Sequence, residues 1–460
     1  MSSSLFSQLN LPAAQLANLE SLGYAKMTPI QAEAIPVALS GEDLIAQAKT
    51  GSGKTAAFAI PLLDKLDVQD DRIQALVLCP TRELSLQVTE EIRKLARYQA
   101  NVKVVTLYGG QIMALQKTAL GNGAHILVGT PGRIKDHLAR ETLSLGSIRT
   151  LVLDEADRML EMGFLNDISE IIGTTPGDRQ TFLFSATFPE DIQVLSGRFQ
   201  RLPVHVSIES EAGHTDIDQR FIICDFDRKM EGVASLLSHL QPRSALIFCN
   251  TKIVTKEVFA FLHDKGFSVA TLHGDMEQRD REQILMRFKH QSCRVLVATD
   301  VAARGLDIED LTAVINYEVP HDVETYVHRI GRTGRAGKEG YAITLAGPSE
   351  QHKIDALRIA LNAAIRTETL DQATGKKYGV LLADKVTLGI NAGRKNKLRA
   401  GDILGALTGE RGINGKSVGK IDVMDYESYV SVDRKAVNTA FARLSENKIK
   451  GQKFKAWILE

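Results

Sequence analysis

The stretches AQAKTGSGKT at residues 46–55 and TLVLDEAD at residues 150–157 decide the fold of this chain. In the first, glycines allow the backbone to wrap closely around phosphate groups, and the lysine and threonine that follow supply a cation and a hydroxyl. In the second, an apolar run ends in two spaced carboxylates, which is typical of a buried parallel strand that delivers acidic side chains to a metal ion. Found in this order, the two stretches predict an α/β domain that binds a nucleoside triphosphate.

Each stretch supplies candidate residues for nucleotide chemistry. Lys54 would place its ammonium group against the β- and γ-phosphates, and the Thr55 hydroxyl would ligate Mg²⁺. In the second stretch, Asp154 would bind the metal ion and Glu155 would polarise the attacking water. The predicted phosphate loop consists of Ala48, Lys49, Thr50, Gly51, Ser52, Gly53, Lys54 and Thr55.

Length and charge extend the prediction beyond this one domain. A chain of 460 residues is too long for a single core and predicts two to four domains. Lysine and arginine balance aspartate and glutamate at 56 each, yet residues 381–460 hold 15 basic and 9 acidic side chains. A basic C-terminal segment on an otherwise acidic chain indicates where an anionic partner would bind.

The cysteines and the N-terminus exclude several classes of protein. The four cysteines are widely spaced and form no C-x-x-C pair, which argues against a zinc site and a disulfide scaffold and fits a reducing cytoplasm. The first residues, MSSSLFSQLN, have neither a basic start nor an apolar core, and no apolar stretch nears 18 residues. We therefore expect no signal peptide, no membrane partner and a cytoplasmic location.

The rest of the chain predicts a second α/β domain followed by a smaller one. Short apolar runs alternate with amphipathic stretches from residue 44, and the rhythm begins again after a polar stretch. Only the first half has a Gly-Lys-Thr loop, so we expect the nucleotide in a cleft between the two halves. The C-terminal segment follows the order β-α-β-β-α-β, which is used by RNA-recognition domains. The predicted segments are 1–207 (first domain), 208–217 (linker), 218–350 (second domain), 351–379 (connector) and 380–460 (small α+β domain).

Further short strings occupy the ends of predicted strands, where an open α/β sheet places its ligand groups. They are PTREL at 80–84, Gly109-Gly110, TPGR at 130–133, SAT at 185–187, ATDVAARGLD at 298–307 and HRIGRTGR at 328–335. With the letters D-E-A-D at 154–157, they resemble the motifs of DEAD-box RNA helicases, in the same order, over residues 6 to about 350. The resemblance implies two tandem RecA-like parallel-sheet domains, RNA-stimulated ATP hydrolysis, ATP and Mg²⁺ as cofactors and RNA as partner.

The resemblance also implies which residues bind the nucleotide. Five residues upstream of the phosphate loop resemble the Q motif, which reads adenine in that family: Phe6, Gly23, Thr28, Pro29 and Gln31. Of these, Phe6, Thr28 and Gln31 are implied to bind the nucleotide. The Gln31 amide offers a donor and an acceptor to the adenine edge, and the Phe6 ring can stack on it. Asp307 would bind the ribose. Arg332 and Arg335 would act as arginine fingers that stabilise charge on the γ-phosphate.

Other motif residues are implied to respond to RNA. Ser185 and Thr187 would couple the first domain to RNA-dependent closure, because hydroxyls can exchange hydrogen-bond partners. The residues that would contact RNA phosphates and sugars, without reading bases, are Arg82, Gly110, Thr130, Arg133 and Thr299.

The C-terminal segment indicates which branch of this family the chain resembles. Its stretch LRAGDILGALTGE at 398–410 resembles the DbpA branch of bacterial DEAD-box proteins. Members of that branch recognise hairpin 92 of 23S ribosomal RNA (23S rRNA) and act in assembly of the large ribosomal subunit. A cationic segment is the expected RNA surface, because cations bind phosphate groups. Its members are Arg394, Lys395, Lys397 and Arg399.

Base stacking on the C-terminal sheet is left open by the sequence. RNA-recognition domains usually carry aromatic side chains on their central strands. The stretch DYESYVSV at 425–432 keeps Tyr429 but has Glu427 at one stacking position. Either the sheet face or the basic loops would therefore contact RNA, and Phe454 and Trp457 are expected in the core.

The leading hypothesis is an ATP-dependent RNA helicase that melts short duplexes and is anchored to 23S rRNA by its third domain. We expect it to act as a monomer. Two alternatives stay open at this point: an ATP-gated RNA clamp or scaffold that does not separate strands, and a DNA translocase of the same architecture.

Overall fold

The structure, a computed structural model, contains two compact units that separate near residue 213. The first unit holds one seven-stranded sheet, and the second holds another seven-stranded sheet and a four-stranded sheet. No helix in the described ranges is long and apolar enough to cross a membrane. The described residues are 5–48, 51–188, 190–208, 217–303, 311–334, 340–361, 365–374, 379–410 and 412–459.

The first unit is a parallel sheet flanked by helices. Its strand order is β3-β4-β2-β5-β6-β1-β7. The central strands β2, β4 and β5 are buried along their whole length because each is a short run made mostly of aliphatic residues, such as ALVL in β2. The elements are α1 (Ala13–Ser21), α2 (Pro29–Ser40), β1 (Leu44–Gln47), α3 (Lys54–Asp64), β2 (Ala75–Leu78), α4 (Arg82–Leu95), β3 (Val104–Leu107), α5 (Met113–Gly121), β4 (Ile126–Gly129), α6 (Pro131–Ala139), β5 (Thr150–Leu153), α7 (Ala156–Glu161), α8 (Leu165–Gly173), β6 (Gln180–Ser185), α9 (Glu190–Phe199) and β7 (Val204–Ser207).

The second seven-stranded sheet repeats the first, with the order β10-β11-β9-β12-β13-β8-β14. Its last strand, β14, lies inside the predicted connector, so this sheet extends beyond the predicted boundary at residue 350. The elements are β8 (Ile217–Ile223), α10 (Lys229–Leu240), β9 (Ala245–Cys249), α11 (Lys252–Asp264), β10 (Val269–Leu272), α12 (Gln278–Lys289), β11 (Val295–Thr299), α13 (Asp300–Ala303), β12 (Ala313–Asn316), α14 (Val323–Ile330), β13 (Gly340–Ala346), α15 (Gln351–Leu361), β14 (Arg366–Thr369) and α16 (Leu370–Ala373).

The C-terminal domain has the predicted β-α-β-β-α-β order and an antiparallel sheet, β16-β17-β15-β18. One face of this sheet carries aliphatic side chains that pack with residues of the two helices. Phe454 packs against this core, as expected, whereas Trp457 belongs to a separate cluster that includes Met286 of α12. The elements are β15 (Lys385–Ile390), α17 (Ala400–Thr408), β16 (Val418–Val423), β17 (Ser428–Asp433), α18 (Val437–Glu446) and β18 (Ala456–Leu459).

Candidate functional site

The phosphate loop follows β1 and leads into α3. Gly51 and Gly53 have φ angles of 79° and 92°, in the left-handed region that favours glycine. A Cβ atom at Gly53 would also lie only 2.4 Å from Nε2 of Gln31, so a side chain is excluded there. Lys54, the first residue of α3, is buried and donates from Nζ to the Ala48 carbonyl over 2.8 Å. The lysine ammonium group is thus held at the residue that follows β1.

The Q-motif residues lie against this loop. The Thr28 N–H donates to Oε1 of Gln31 at the start of α2, and Nε2 of Gln31 donates to the Gly53 carbonyl over 3.1 Å. Gln31 therefore ties α2 to the phosphate loop. The Phe6 ring is 2% exposed and packs edge-to-face on Tyr24, so it belongs to the core of the first unit. A contact of Phe6 with adenine stays a prediction.

The acidic pair follows β5, two strands away from the phosphate loop. Asp154 is buried, and its N–H donates to the Leu78 carbonyl of the neighbouring strand over 3.0 Å. Glu155 adopts a left-handed φ of 51°, which is uncommon for a residue other than glycine. Burial, together with the adjacent Glu155 charge, raises the pKa of Asp154 to about 7, while Lys54 opposes the shift. A nearby cation would stabilise the ionised form of such a carboxylate.

The SAT motif, which begins at the last residue of β6, is joined to the segment of the acidic pair through Asp157. One carboxylate oxygen of Asp157 accepts from the N–H groups of Ala186 and Thr187 over 3.1 and 3.0 Å. The same oxygen accepts from the Thr187 hydroxyl over 3.1 Å. The Ser185 carbonyl accepts from the Ala48 N–H, while the buried Ser185 hydroxyl has no hydrogen-bond partner among the described residues. Asp157 was not among the predicted site residues, although it is the last letter of the D-E-A-D string.

We expect Thr187→Val to lower strand separation about tenfold while ATP binding is retained. Valine keeps the shape of threonine but removes the hydroxyl that donates to Asp157, and a hydrogen bond to a charged group contributes about 1.5–3 kcal/mol. The measurement is duplex unwinding per ATP hydrolysed, with Thr187→Ser as the matched control because it keeps the hydroxyl. Equal losses of unwinding and ATP hydrolysis in Thr187→Val would contradict a coupling role.

The predicted RNA-contact residues of the first unit lie at the carboxyl ends of adjacent strands. A Cβ atom at Gly109 would lie 3.1 Å from Nη2 of Arg82, so this loop passes close to the start of α4. Arg133 donates to the Gln111 carbonyl over 3.1 Å. Thr130 donates from its N–H to the Leu107 carbonyl at the end of β3. Arg82, Gly110, Thr130 and Arg133 therefore share one edge of the sheet.

In the second unit, two arginines of the HRIGRTGR string have different surroundings. Arg329 is 1% exposed and forms a two-pronged ion pair with Asp300 over 2.7 and 2.6 Å. It also donates to the side chains of Asn316 and Asn250. Arg332 follows the end of α14 and is half-buried. Thr299 is the last residue of β11. Four predicted site residues lie outside the described residues: Lys49, Thr50, Asp307 and Arg335.

Six basic residues of the C-terminal domain lie at one end of its sheet. The Arg394 and Lys395 N–H groups donate to the Met424 and Asp425 carbonyls between β16 and β17. From the loop before β18, Lys450 donates to the Lys397 carbonyl over 2.9 Å. We call this group the basic end; its members, all exposed, are Arg394, Lys395, Lys397, Arg399, Lys450 and Lys455.

Comparison with known proteins assigns the family. Residues 28–195 match the family DEAD/DEAH box helicase, residues 228–337 match the helicase conserved C-terminal domain, and residues 387–458 match the DbpA RNA binding domain. The ATP-dependent RNA helicase DbpA of Escherichia coli K12 is 48% identical over 456 residues, which cover 99% of each chain. The chain belongs to the DEAD-box ATP-dependent RNA helicases.

Other relatives of this DEAD-box helicase share its core. CshA of Bacillus cereus, named a DEAD-box ATP-dependent RNA helicase, is 46% identical over 350 residues, covering 76% of the chain and 66% of the relative. A solved structure of S. cerevisiae Dbp5 bound to RNA and ADP BeF3 is 28% identical, with a TM-score of 0.72, and covers 80% of the chain and 96% of that protein. The predicted fold class, ATP-dependent helicase activity and RNA partner are confirmed.

The helicase residues fit ATP with a divalent cation. The hydroxyls of Thr28 and Ser52 are buried and have no hydrogen-bond partner among the described residues, so both can bond a ligand. In the part of the chain that the structure describes, no three His, Cys, Asp or Glu side chains are grouped to hold a metal ion. Asp154 would hold Mg²⁺ together with nucleotide phosphates, which is the usual way proteins bind this ion.

Proposed function

We propose that this DEAD-box helicase separates short duplexes near hairpin 92 of 23S rRNA during assembly of the large ribosomal subunit. In this proposal it acts as a monomer and is anchored by its C-terminal domain. The observation that supports anchoring is the basic end, which lies largely within the residues that match the DbpA RNA binding domain. Exposed cations at one end of a small domain favour contact with RNA phosphates.

The proposed ATP chemistry uses residues of both units. Lys54 binds the β- and γ-phosphates, and Asp154 and Thr55 hold Mg²⁺, which when bound neutralises phosphate charge. Glu155 orients the water that attacks the γ-phosphate, so that ADP and phosphate are released. Arg332 stabilises the negative charge that develops on the transferred group.

We compare an RNA fragment that carries hairpin 92 with an RNA whose loop sequence is scrambled. The hairpin RNA should half-saturate ATP hydrolysis at a concentration roughly tenfold or more lower, because each wrong base costs about 1–3 kcal/mol of binding free energy. The double variant Lys395→Ala/Lys397→Ala should weaken the binding of both RNAs, because contacts with phosphates carry no sequence information. Its slope of log affinity against log salt concentration should fall by about two, one for each phosphate contact removed. Both values come from ATPase titrations and fluorescence anisotropy at several salt concentrations.

Lys416→Ala/Lys435→Ala is the charge-matched control. Both lysines are exposed and flank the opposite ends of the same strands, next to the Val418–Val432 pair. This variant should bind hairpin RNA like the unmodified helicase. Deletion of the whole domain is a poorer test, because it would uncover Met286 of α12. Equal stimulation by hairpin and scrambled RNAs would contradict anchoring, and ATP hydrolysis without loss of duplex would favour the clamp.

A further inference from the structure

The sheet face that RNA-recognition domains use for base stacking is covered here by the second seven-stranded domain. Tyr429 of β17 pairs in register with Gly389 of β15, which in turn pairs with Trp457 of β18. Tyr429 and Trp457 meet edge-to-face at 6.3 Å and pack with Met286 of α12. Tyr429 is only 6% exposed, and its hydroxyl donates to Glu427. The two aromatic rings of this face are therefore occupied within the protein.

Polar pairs fix the same face against the end of α12. Asp422 of β16, which pairs in register with Tyr429, contacts Nε2 of the buried His290 at 2.8 Å. Thr387 of β15 and Ser292 share a hydrogen bond of 2.6 Å between their buried hydroxyls. Opening this face for a nucleobase would break these hydrogen bonds between buried groups, which costs free energy.

One aromatic side chain of the domain remains exposed. Among the described residues after 379, Phe441, Phe454 and Trp457 are half-buried and Tyr429 is buried, while Tyr426 is 58% exposed. Its neighbour Met424 is 38% exposed, which gives the turn between β16 and β17 an apolar surface. An exposed tyrosine offers a flat face on which any base can stack.

The turn that carries Tyr426 is fastened to the basic end. The Arg394 N–H donates to the Met424 carbonyl over 2.8 Å, and the Lys395 N–H donates to the Asp425 carbonyl over 2.9 Å. A Cβ atom at Gly393 would lie 2.2 Å from the Met424 carbonyl oxygen, so only glycine permits this approach. The ring of Tyr426 and the cations of Arg394 and Lys395 are thus presented by two segments held together through their backbones.

We propose that Tyr426 is the base-stacking residue of the C-terminal domain and binds an unpaired nucleobase of the RNA whose phosphates the basic end holds. In this proposal the base stacks on the turn beside the sheet and not on the sheet face, because the sheet face is packed on α12. The inference rests on the proposed function, since it requires the basic end to bind RNA. Stacked bases next to cations that follow the backbone are the usual arrangement at single-stranded sites.

The test is binding of the full chain to hairpin 92 RNA, measured by fluorescence anisotropy. Tyr426→Ala should weaken binding about tenfold, consistent with stacking, and leave the salt slope unchanged because no phosphate contact is lost. Tyr426→Phe should bind like the unmodified chain. Leu404→Ala, which removes an exposed apolar side chain from α17 of the same domain, is the matched control and should also bind normally.

An abasic scan of the hairpin loop identifies the stacked base. One abasic position should weaken binding of the unmodified chain about tenfold but cost Tyr426→Ala nothing further. If Tyr426→Ala binds normally while Lys395→Ala/Lys397→Ala is weakened, stacking by Tyr426 is wrong and the anchoring proposal stands. If both variants bind normally, the basic end is not the RNA surface and both proposals are overturned.

Discussion

Replacing Glu155 by glutamine is expected to lower RNA-stimulated ATP hydrolysis by about 10²- to 10³-fold, in the range typical of a lost general base. Glutamine keeps the size of the side chain but cannot accept a proton from the attacking water. The phosphate loop and Asp154 are unchanged, so ATP should remain bound. Removing the Glu155 charge should also lower the pKa of Asp154, because that charge is one cause of its rise to about 7.

The measurements are single-turnover ATP hydrolysis, ATP affinity by equilibrium titration and the dissociation rate of RNA in the presence of ATP. Glu161→Gln is the control on the same helix, α7, because Glu161 forms a surface ion pair with Arg158. Loss of such a pair costs about 0–1 kcal/mol, so this variant should keep most of its activity. Undiminished turnover in Glu155→Gln would remove Glu155 from the proposed role.

The strands that the sequence predicted differ in kind from β14, one of the strands that it missed. Most inner strands of both sheets are continuous apolar runs because helices cover both of their faces, and such runs are visible in the sequence. Strand β14 has the sequence RTET, lies at the edge of its sheet and exposes most of its side chains. It is held by backbone pairing with β8, for which the sequence offers no side-chain pattern.

The candidate site also combines residues that the sequence predicted with contacts that it did not predict. Lys54 and Asp154 were predicted from residue types and spacing, and Gln31 from its resemblance to the Q motif, and their roles stay predictions. The three hydrogen bonds to one oxygen of Asp157 were not predictable, since they depend on how α7 meets the residues after β6. Likewise, Trp457 was expected in the core, but the sequence does not show that a helix of another domain packs on its sheet face.

The second large effect is expected from Arg332→Ala, which should lower the maximal rate of ATP hydrolysis by about 10³-fold or more, as loss of an arginine finger does. ATP affinity and the melting temperature should change little, because Arg332 is proposed to act on charge that develops in the transition state. Arg332→Lys should recover only part of the rate, since an ammonium group lacks the planar fork of guanidinium. The measurements are the maximal ATPase rate at saturating RNA and thermal unfolding.

Arg329→Met is the comparison that separates catalysis from folding, because Arg329 lies three residues earlier in the same string. Its guanidinium is buried and bonds Asp300, Asn316 and Asn250. Methionine would leave these polar groups without their partner, so we expect destabilisation of about 3 kcal/mol or more. The melting temperature should fall in Arg329→Met and not in Arg332→Ala. If Arg332→Ala unfolded as easily as Arg329→Met, its lost activity would reflect the fold, whereas normal stability with a normal rate would exclude Arg332 as the finger.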